Sequence, residues 1–247
     1  MTTPFYADWT FWTAVVALLA LVLSQLPPLY TLFRAAALDV EAFDRIHVSH
    51  VLGQPTATLH LILTNSGGRE AKIKSMSLAF THDGDTFELP GRGYYQSPVD
   101  QSAVILTSFR LPSNGEWKHI ANFFTLPPRA DEREIDQIKS AIRNNILPRK
   151  SEPGNENILI EAPPQLVAPA LDFFHRKFRW HPGEYEVTAK IRAEPSSADI
   201  ERRYRFTIFE SDTAQLVGET ERYRYGAGVY FNDSEQRPVF LPLMPVG

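Results

Sequence analysis

From Trp9 to Phe33 the chain carries no charged side chain, and within those 25 residues the stretch Phe11 to Leu23 is apolar but for Thr13. Val15 to Leu23 is apolar on every face of a helix, which suits lipid better than the surface of a globular protein. As a helix, Trp9 to Leu26 would reach about 27 Å, close to the thickness of a hydrocarbon core. Trp9, Trp12 and Tyr30 fall near the two ends, where amphipathic rings favour the headgroup boundary. Pro27 and Pro28 disturb the helix where it would leave the lipid. The pattern predicts a short tail, 1–8, and one transmembrane helix within 9–33, with Leu18 and Leu21 in its middle and Arg34 at its trailing end. A cleaved signal peptide using Ala35 and Ala37 fits less well, because Met1 to Asp8 has no Lys or Arg and the site would lie far beyond Leu26. No later segment matches this purity, so a single pass is expected. The leading flank offers only Asp8, whereas the trailing flank has Arg34 and Arg45, so the positive-inside rule places the rest of the chain on the cytoplasmic side; the extracytoplasmic side is the alternative.

Composition excludes several functions. With 25 Lys and Arg against 29 Asp and Glu, the formal charge of −4 gives no global attraction to nucleic acid, and no nucleic-acid partner is expected. The absence of cysteine removes disulfides, thiolate metal sites and a thiol nucleophile. No glycine precedes a lysine, so there is no P-loop; there is no Gly-x-Ser-x-Gly elbow and no His-Glu pair of a zincin helix. Gly226 and Gly228 begin a dinucleotide-type pattern, but Phe231 occupies the third glycine position, so a structural turn is the better reading. His47 and His50 are three apart and would point to opposite faces of a strand, and His60 opposes a leucine face. His175 and His181 lack a third ligand in view, and Asp83-Gly84-Asp85 reads as an acidic hairpin turn. No catalytic, cofactor-binding or metal-ligating residue is assigned, and no cofactor is expected.

After the anchor the pattern changes to period-two alternation. Leu59, Leu61 and Leu63 share one parity; Tyr185, Val187, Ala189 and Ile191 share another, opposed by Glu184, Glu186, Thr188 and Lys190; Tyr204, Phe206 and Ile208 repeat it. Such strands have one face in a core and one in water, as in antiparallel sheets. Asn65-Ser66-Gly67-Gly68, Asp83-Gly84-Asp85 and Pro112-Ser113-Asn114-Gly115 punctuate them where hairpins would turn. With strands also expected at Leu38 to Phe43 and Arg45 to Val51, at least eight are predicted. One region departs: Asp131, Glu132 and Glu134 precede Ile135, Ile138, Ile142 and Ile146 at helical spacing, which predicts a helix over 131–146. A polar loop, Arg149 to Asn157, and a second helix, Pro169 to Arg179, follow. The reading is a mainly β chain: an antiparallel β-sandwich over 38–247 with a small helical insertion at about 129–180.

The strand ending in Asn65, the Gly67-Gly68 turn, the Ile73 to Phe80 strand and the later run Pro182-Gly183-Glu184-Tyr185-Glu186-Val187 resemble bacterial immunoglobulin-like β-sandwich modules. The resemblance implies an immunoglobulin-like sandwich serving adhesion, assembly or presentation, and it transfers no catalytic residue.

The most suggestive cluster is Phe173 to Trp180, in which Phe173, Phe174, Phe178 and Trp180 are interleaved with His175, Arg176, Lys177 and Arg179. Phe173, Arg176, Lys177, Phe178, Arg179 and Trp180 form a candidate interface, either at an anionic membrane surface or as a partner-docking ridge. The competing reading is a core helix whose Phe174 and Phe178 pack on the sandwich while the cations are solvated. Arg203 and Arg205 share a strand face and are expected to pair with Glu184 or Glu186. Taken together, the sequence predicts a membrane-anchored, non-catalytic interaction or assembly module whose partners are the lipid bilayer and another membrane or membrane-associated protein. The alternative is a ligand-binding or hydrolytic domain with its site between the sandwich and the helical insertion.

Overall fold

The computed structural model describes residues 9–25, 34–97, 102–155, 158–231 and 238–246. Helix α1 (Trp9–Gln25) comes first, and the remainder is mainly antiparallel β-structure with three further α-helices, α2 (Arg129–Lys150), α3 (Pro164–Lys177) and α4 (Glu210–Gly218).

Two sheets face each other across the core. One runs β10 (Val239–Pro242), β1 (Leu38–Val51), β2 (Gln54–Asn65), β7 (Glu116–Phe124); the other runs β3 (Ala71–His82), β8 (Gly183–Glu194), β9 (Ile200–Ile208), β11 (Met244–Pro245). They are joined at both edges. The first half of β4 (Asp85–Tyr95) pairs with β3 through Pro90, and its second half pairs with β7 from Gly91 onward. At the other edge, Leu243 alone separates β10, on the first sheet, from β11, on the second. The result is a nearly closed barrel, which protects strand edges that would otherwise offer unpaired backbone groups. Short strands β5 (Val104–Ile105) and β6 (Phe109–Leu111) flank β4 and β3.

Local chemistry explains most of this. In β8 the alternating parity puts Tyr185, Val187, Ala189, Ile191 and Ala193 in the core, and β9 repeats it with Tyr204, Phe206 and Ile208. The segments predicted as separate strands at Leu38 to Phe43 and Arg45 to Val51 are one strand, β1, with a register shift between Ala42 and Ile46 that leaves Phe43 exposed. Asp83-Gly84 turns a true hairpin between β3 and β4. The other two punctuated turns are corners instead: Asn65 to Gly68 takes the chain from β2 in one sheet to β3 in the other, and Pro112 to Gly115 returns it from β6 to β7.

The helical insertion lies between β7 and β8, as its pattern predicts. α2 extends beyond the expected 131–146 at both ends and buries Ile135, Ile138, Ile142 and Ile146. α3 starts at Pro164, earlier than predicted, because Pro163 and Pro164 suit a helix start. The expected loop at 149–157 begins as the last residues of α2 and a turn; residues 156 and 157 lie outside the described residues.

Because β2 connects a turn at Gln54 to the corner at Asn65, the two ends of the barrel stand about 36 Å apart along that strand. Helices α2, α3 and α4 gather at the Gln54 end. The chain arrives from α1 at the Asn65 end, through Arg34 to Ala37.

Candidate functional site

α1 is the first candidate. Its apolar side chains have no protein core to enter: Trp9 is 86%, Leu18 62% and Leu21 62% exposed, and Trp12 is half exposed. Its hydroxyls turn inward on the helix itself, Thr13 Oγ1 donating to the Trp9 carbonyl at 2.8 Å and Ser24 Oγ to the Leu21 carbonyl at 2.7 Å. That is how such groups are satisfied where the surroundings offer no partner. At 17 residues the helix is about 26 Å long. Among the described residues no helix is long and apolar enough to cross a membrane. The predicted continuation to Phe33, with Pro27, Pro28 and the anchor residue Tyr30, lies outside the described residues, as does the tail 1–8; Arg34 is exposed.

The chain coming from α1 is fastened to the body at the Asn65 corner. The Asn65 side chain is fully buried. Its Oδ1 accepts from the Ala37 and Gly67 amides at 3.3 and 3.1 Å, and its Nδ2 is shared among the carbonyls of Arg69, Leu111 and Pro112 at 2.8, 3.1 and 3.1 Å. The Ser66 amide donates to the Ala37 carbonyl and the Gly68 amide to that of Ala35. Gly67 is required there, since a Cβ would stand 2.2 Å from the Ala35 carbonyl oxygen and 2.4 Å from the Ala37 nitrogen. Ala36 is buried. The residues considered as a cleavage site are therefore part of the folded body.

Beside this corner opens a cleft of about 710 Å³ walled by Arg69, Glu70, Lys72, Arg110 and Glu194, with Ala36 at its back. Lys72 stands directly opposite Arg110 on β6 and Glu194 on β8. Both acids are paired: Glu70 with Arg110 within the cleft wall, and Glu194 with Lys74 at 3.3 Å. Arg69 and Lys72 have no ion-pair partner among the described residues. Sequence reasoning missed this cleft. Its signal was present in Lys72 and Lys74, on the outward positions of a strand start whose Ala71 and Ile73 are buried, and in Arg69 just before the strand.

At the opposite end the predicted interface Phe173 to Trp180 is divided. Phe173, Phe174, Phe178 and Trp180 belong to the core, so the aromatic half of the expected docking ridge is not at the surface. Trp180 Nε1 donates to the Ser49 carbonyl at 2.7 Å, and Thr213 Oγ1 donates to the Trp180 carbonyl at 3.1 Å, which stitches the segment to β1 and α4. The Tyr185 hydroxyl accepts from the His181 amide and lies 2.8 Å from the Arg179 carbonyl; burial pushes it up to about 12. The exposed half is spent on ion pairs: Arg176 with Glu134, Lys177 with Asp131 at 2.6 Å, Arg179 with Asp85 at 3.0 Å. The reason is geometric. Helical spacing turns the aromatics of α3 onto the sandwich and its cations toward the acidic first turns of α2.

His50 sits beneath α3. The Gly53 amide donates to its Nδ1 at 3.2 Å, so Nε2 carries the proton and donates to the Leu216 carbonyl at 2.9 Å. Phe174 and Phe178 pack edge-on against the ring. Burial holds this imidazole below its ordinary value of 6.5, and the Leu216 contact opposes that shift only in part. Gly53 allows the close approach, because a Cβ would lie 2.5 Å from the Phe174 carbonyl oxygen. His47 packs edge-on against Phe240 instead and shares no site with His50.

Between sandwich and insertion there is a hollow of about 200 Å³, lined by Phe87, Glu88, Pro128, Asp131, Lys177 and Arg179 among others. It is smaller than ordinary ligand pockets of about 300 Å³ and above. Its charges are paired across the rim, Glu88 with Lys190 and the rest as above. Among the described residues no cluster of three His, Asp or Glu side chains is placed to hold a metal ion. Arg205 lies 3.8 Å from Glu184, the cross-strand pairing expected of that strand face, and Gly226 and Gly228 have positive φ in a turn.

No family model matches the chain, and no curated protein matches it. Among solved structures it is similar to Spo0M, a sporulation control protein from Bacillus subtilis, with 12% identity, a TM-score of 0.28, and coverage of 76% of this chain and 56% of that one. At that score the likeness carries no weight for fold or function, and the chain spans little more than half the length of that structure.

Proposed function

We propose that this chain is a single-pass membrane-anchored interaction or assembly module, non-catalytic, in which α1 and the uncharged residues after it occupy the lipid and the β-body is held at the bilayer surface. The observation that carries this reading is α1 itself: an apolar helix exposed on nearly every face, with its hydroxyls satisfied internally, beside a body whose own core is complete without it. Transfer of such a surface from water to lipid is favourable by about 25 cal/mol per Å². The charge asymmetry of the flanks favours the cytoplasmic side for the body. Its mechanism is localisation, since a short tether gives the body a high effective concentration for partners in the same membrane, expected to be membrane or membrane-associated proteins. The fastening of Ala35 to Ala37 at the Asn65 corner makes that tether short and presents one defined end of the sandwich to the bilayer.

The chain has no native cysteine, so topology is directly testable. A Ser211→Cys variant, on the exposed start of α4, is expected to resist a membrane-impermeant thiol reagent in intact cells and to react after permeabilisation. Labelling in intact cells would reverse the orientation.

A further inference from the structure

We propose that the cleft at the anchor end binds the phosphate of an anionic phospholipid headgroup from the bilayer in which α1 is anchored; this rests on the membrane-anchored reading above. Three observations converge on it.

The first is place. Ala36 backs the cleft, and the backbone of Ala35 and Ala37 is bonded to the corner beside it. Nine residue steps separate Gln25 from Arg34, a reach of at most about 32 Å. The helical end of the body stands about 36 Å further along β2. With α1 in lipid, the Asn65 end is the one that the tether holds at the headgroups.

The second is charge. After Arg110 has paired with Glu70 and Glu194 with Lys74, Arg69 and Lys72 stay without an ion-pair partner among the described residues, and exposed Arg34 immediately precedes Ala35 and Ala36 of the cleft lining in sequence. Lys72 stands directly opposite Arg110 on one neighbouring strand and opposite Glu194, which pairs with Lys74, on the other, so the cleft's cations outnumber its acids. At the helical end, by contrast, every cation of the α3 segment has found a carboxylate.

The third is chemistry. A guanidinium offers paired N–H donors and an ammonium a mobile point charge, and phosphate oxygens match both. The cleft's volume of about 710 Å³ admits a headgroup, and its open mouth leaves the acyl chains in the bilayer. The anionic leaflet that attracts such cations is the cytoplasmic one, in keeping with the orientation from the flanks.

The full-length chain, reconstituted into vesicles of phosphatidylcholine or of an equal mixture with phosphatidylglycerol, is footprinted with an amine-acetylating reagent. The modification rates of Lys72 and of Lys150, at the far end of α2, are read by mass spectrometry. Flotation of the protein with both vesicles is recorded first. The expected result is flotation with both, and acetylation of Lys72 slowed about fivefold by phosphatidylglycerol, with Lys150 unchanged. Arg69→Gln should remove most of that protection, and Arg176→Gln, at the other end, none of it. Equal Lys72 rates in the two vesicles, with flotation intact, would overturn the headgroup site and leave the anchor standing. Equal protection by inorganic phosphate on phosphatidylcholine vesicles would reassign the site to a free anion. Failure to float with either vesicle would remove the anchor and this proposal together.

Discussion

At the Asn65 end of the barrel, backbone groups from the lead-in to β1, the β2–β3 corner and the end of β6 are gathered on one buried amide, Asn65; at the helical end, the Gly53 amide of the turn between β1 and β2 and the Leu216 carbonyl of α4 are gathered on one buried imidazole, His50. Aromatic residues with a polar atom aside, these are the two buried polar residues among the described residues. Their surroundings differ. Asn65 has short loops around it and charged walls open to solvent, whereas His50 is roofed by Phe174 and Phe178 and tied to α4 through Leu216. Helices cover the aromatic side chains at one end, and the other end is polar. A sandwich capped at one end and open at the other has a direction, and here the open end is the one joined to α1.

The comparison is broken most severely at Asn65. Asn65→Ala removes the side-chain partner of two amides and three carbonyls, of which that of Pro112 still accepts from the Gly115 amide, and is expected to cost about 4 kcal/mol, lowering the melting temperature by about 10 °C. The conservative Asn65→Asp should recover little, because a carboxylate cannot donate to the carbonyls of Arg69, Leu111 and Pro112. At the capped end, Ile142→Ala opens a cavity beneath α2 at a fully buried position and should cost about 3 kcal/mol, read from chemical denaturation. Retention of full stability would mean that α2 does not share the core.

Acid should act on the capped end. Burial depresses the folded value of His50 below 6.5, so the unfolded chain binds the proton more readily. Stability from this group is present above about pH 6.5 and falls as pH drops through the depressed folded value. His47 and His60 are depressed in the same direction by burial and add to the slope. A His50→Gln variant, less stable by about 2 kcal/mol near neutrality, should lose stability less steeply between about pH 6.5 and 5 than the native chain. An unchanged slope would place the acid sensitivity elsewhere. The smallest effect is expected from Arg176→Gln, which breaks an exposed pair with Glu134 and should change stability by less than about 1 kcal/mol.

Much of the body was legible in the residues. The parities of β8 and β9, the Ile135-Ile138-Ile142-Ile146 face of α2 and the hairpin at Asp83-Gly84 follow from periodicity and turn chemistry, which are local properties. The corners were not legible: Asn65 to Gly68 and Pro112 to Gly115 have the composition of hairpin turns, but composition reports a change of direction, not which sheet the chain enters next. The passage of β4 from one sheet to the other at Gly91 to Gly93 is hidden for the same reason. Phe173 to Trp180 looked like a surface because its aromatics and cations are interleaved, yet on a packed helix and its trailing turn the two sets separate to opposite sides. Asn65 and His50 drew no notice as organising groups because their partners are backbone atoms of distant residues, which carry no sequence signature.

In the proposed arrangement, lipid surrounds α1. Flotation of the full-length chain with neutral vesicles, before and after Leu18→Arg, tests it most directly. The expected result is that the native chain floats and stays bound in high salt, while the variant, penalised by about 3 kcal/mol for a cation at the helix centre, is released in part. A native chain that stays in the aqueous fraction as a detergent-free monomer, or a variant that floats just as well, would contradict it.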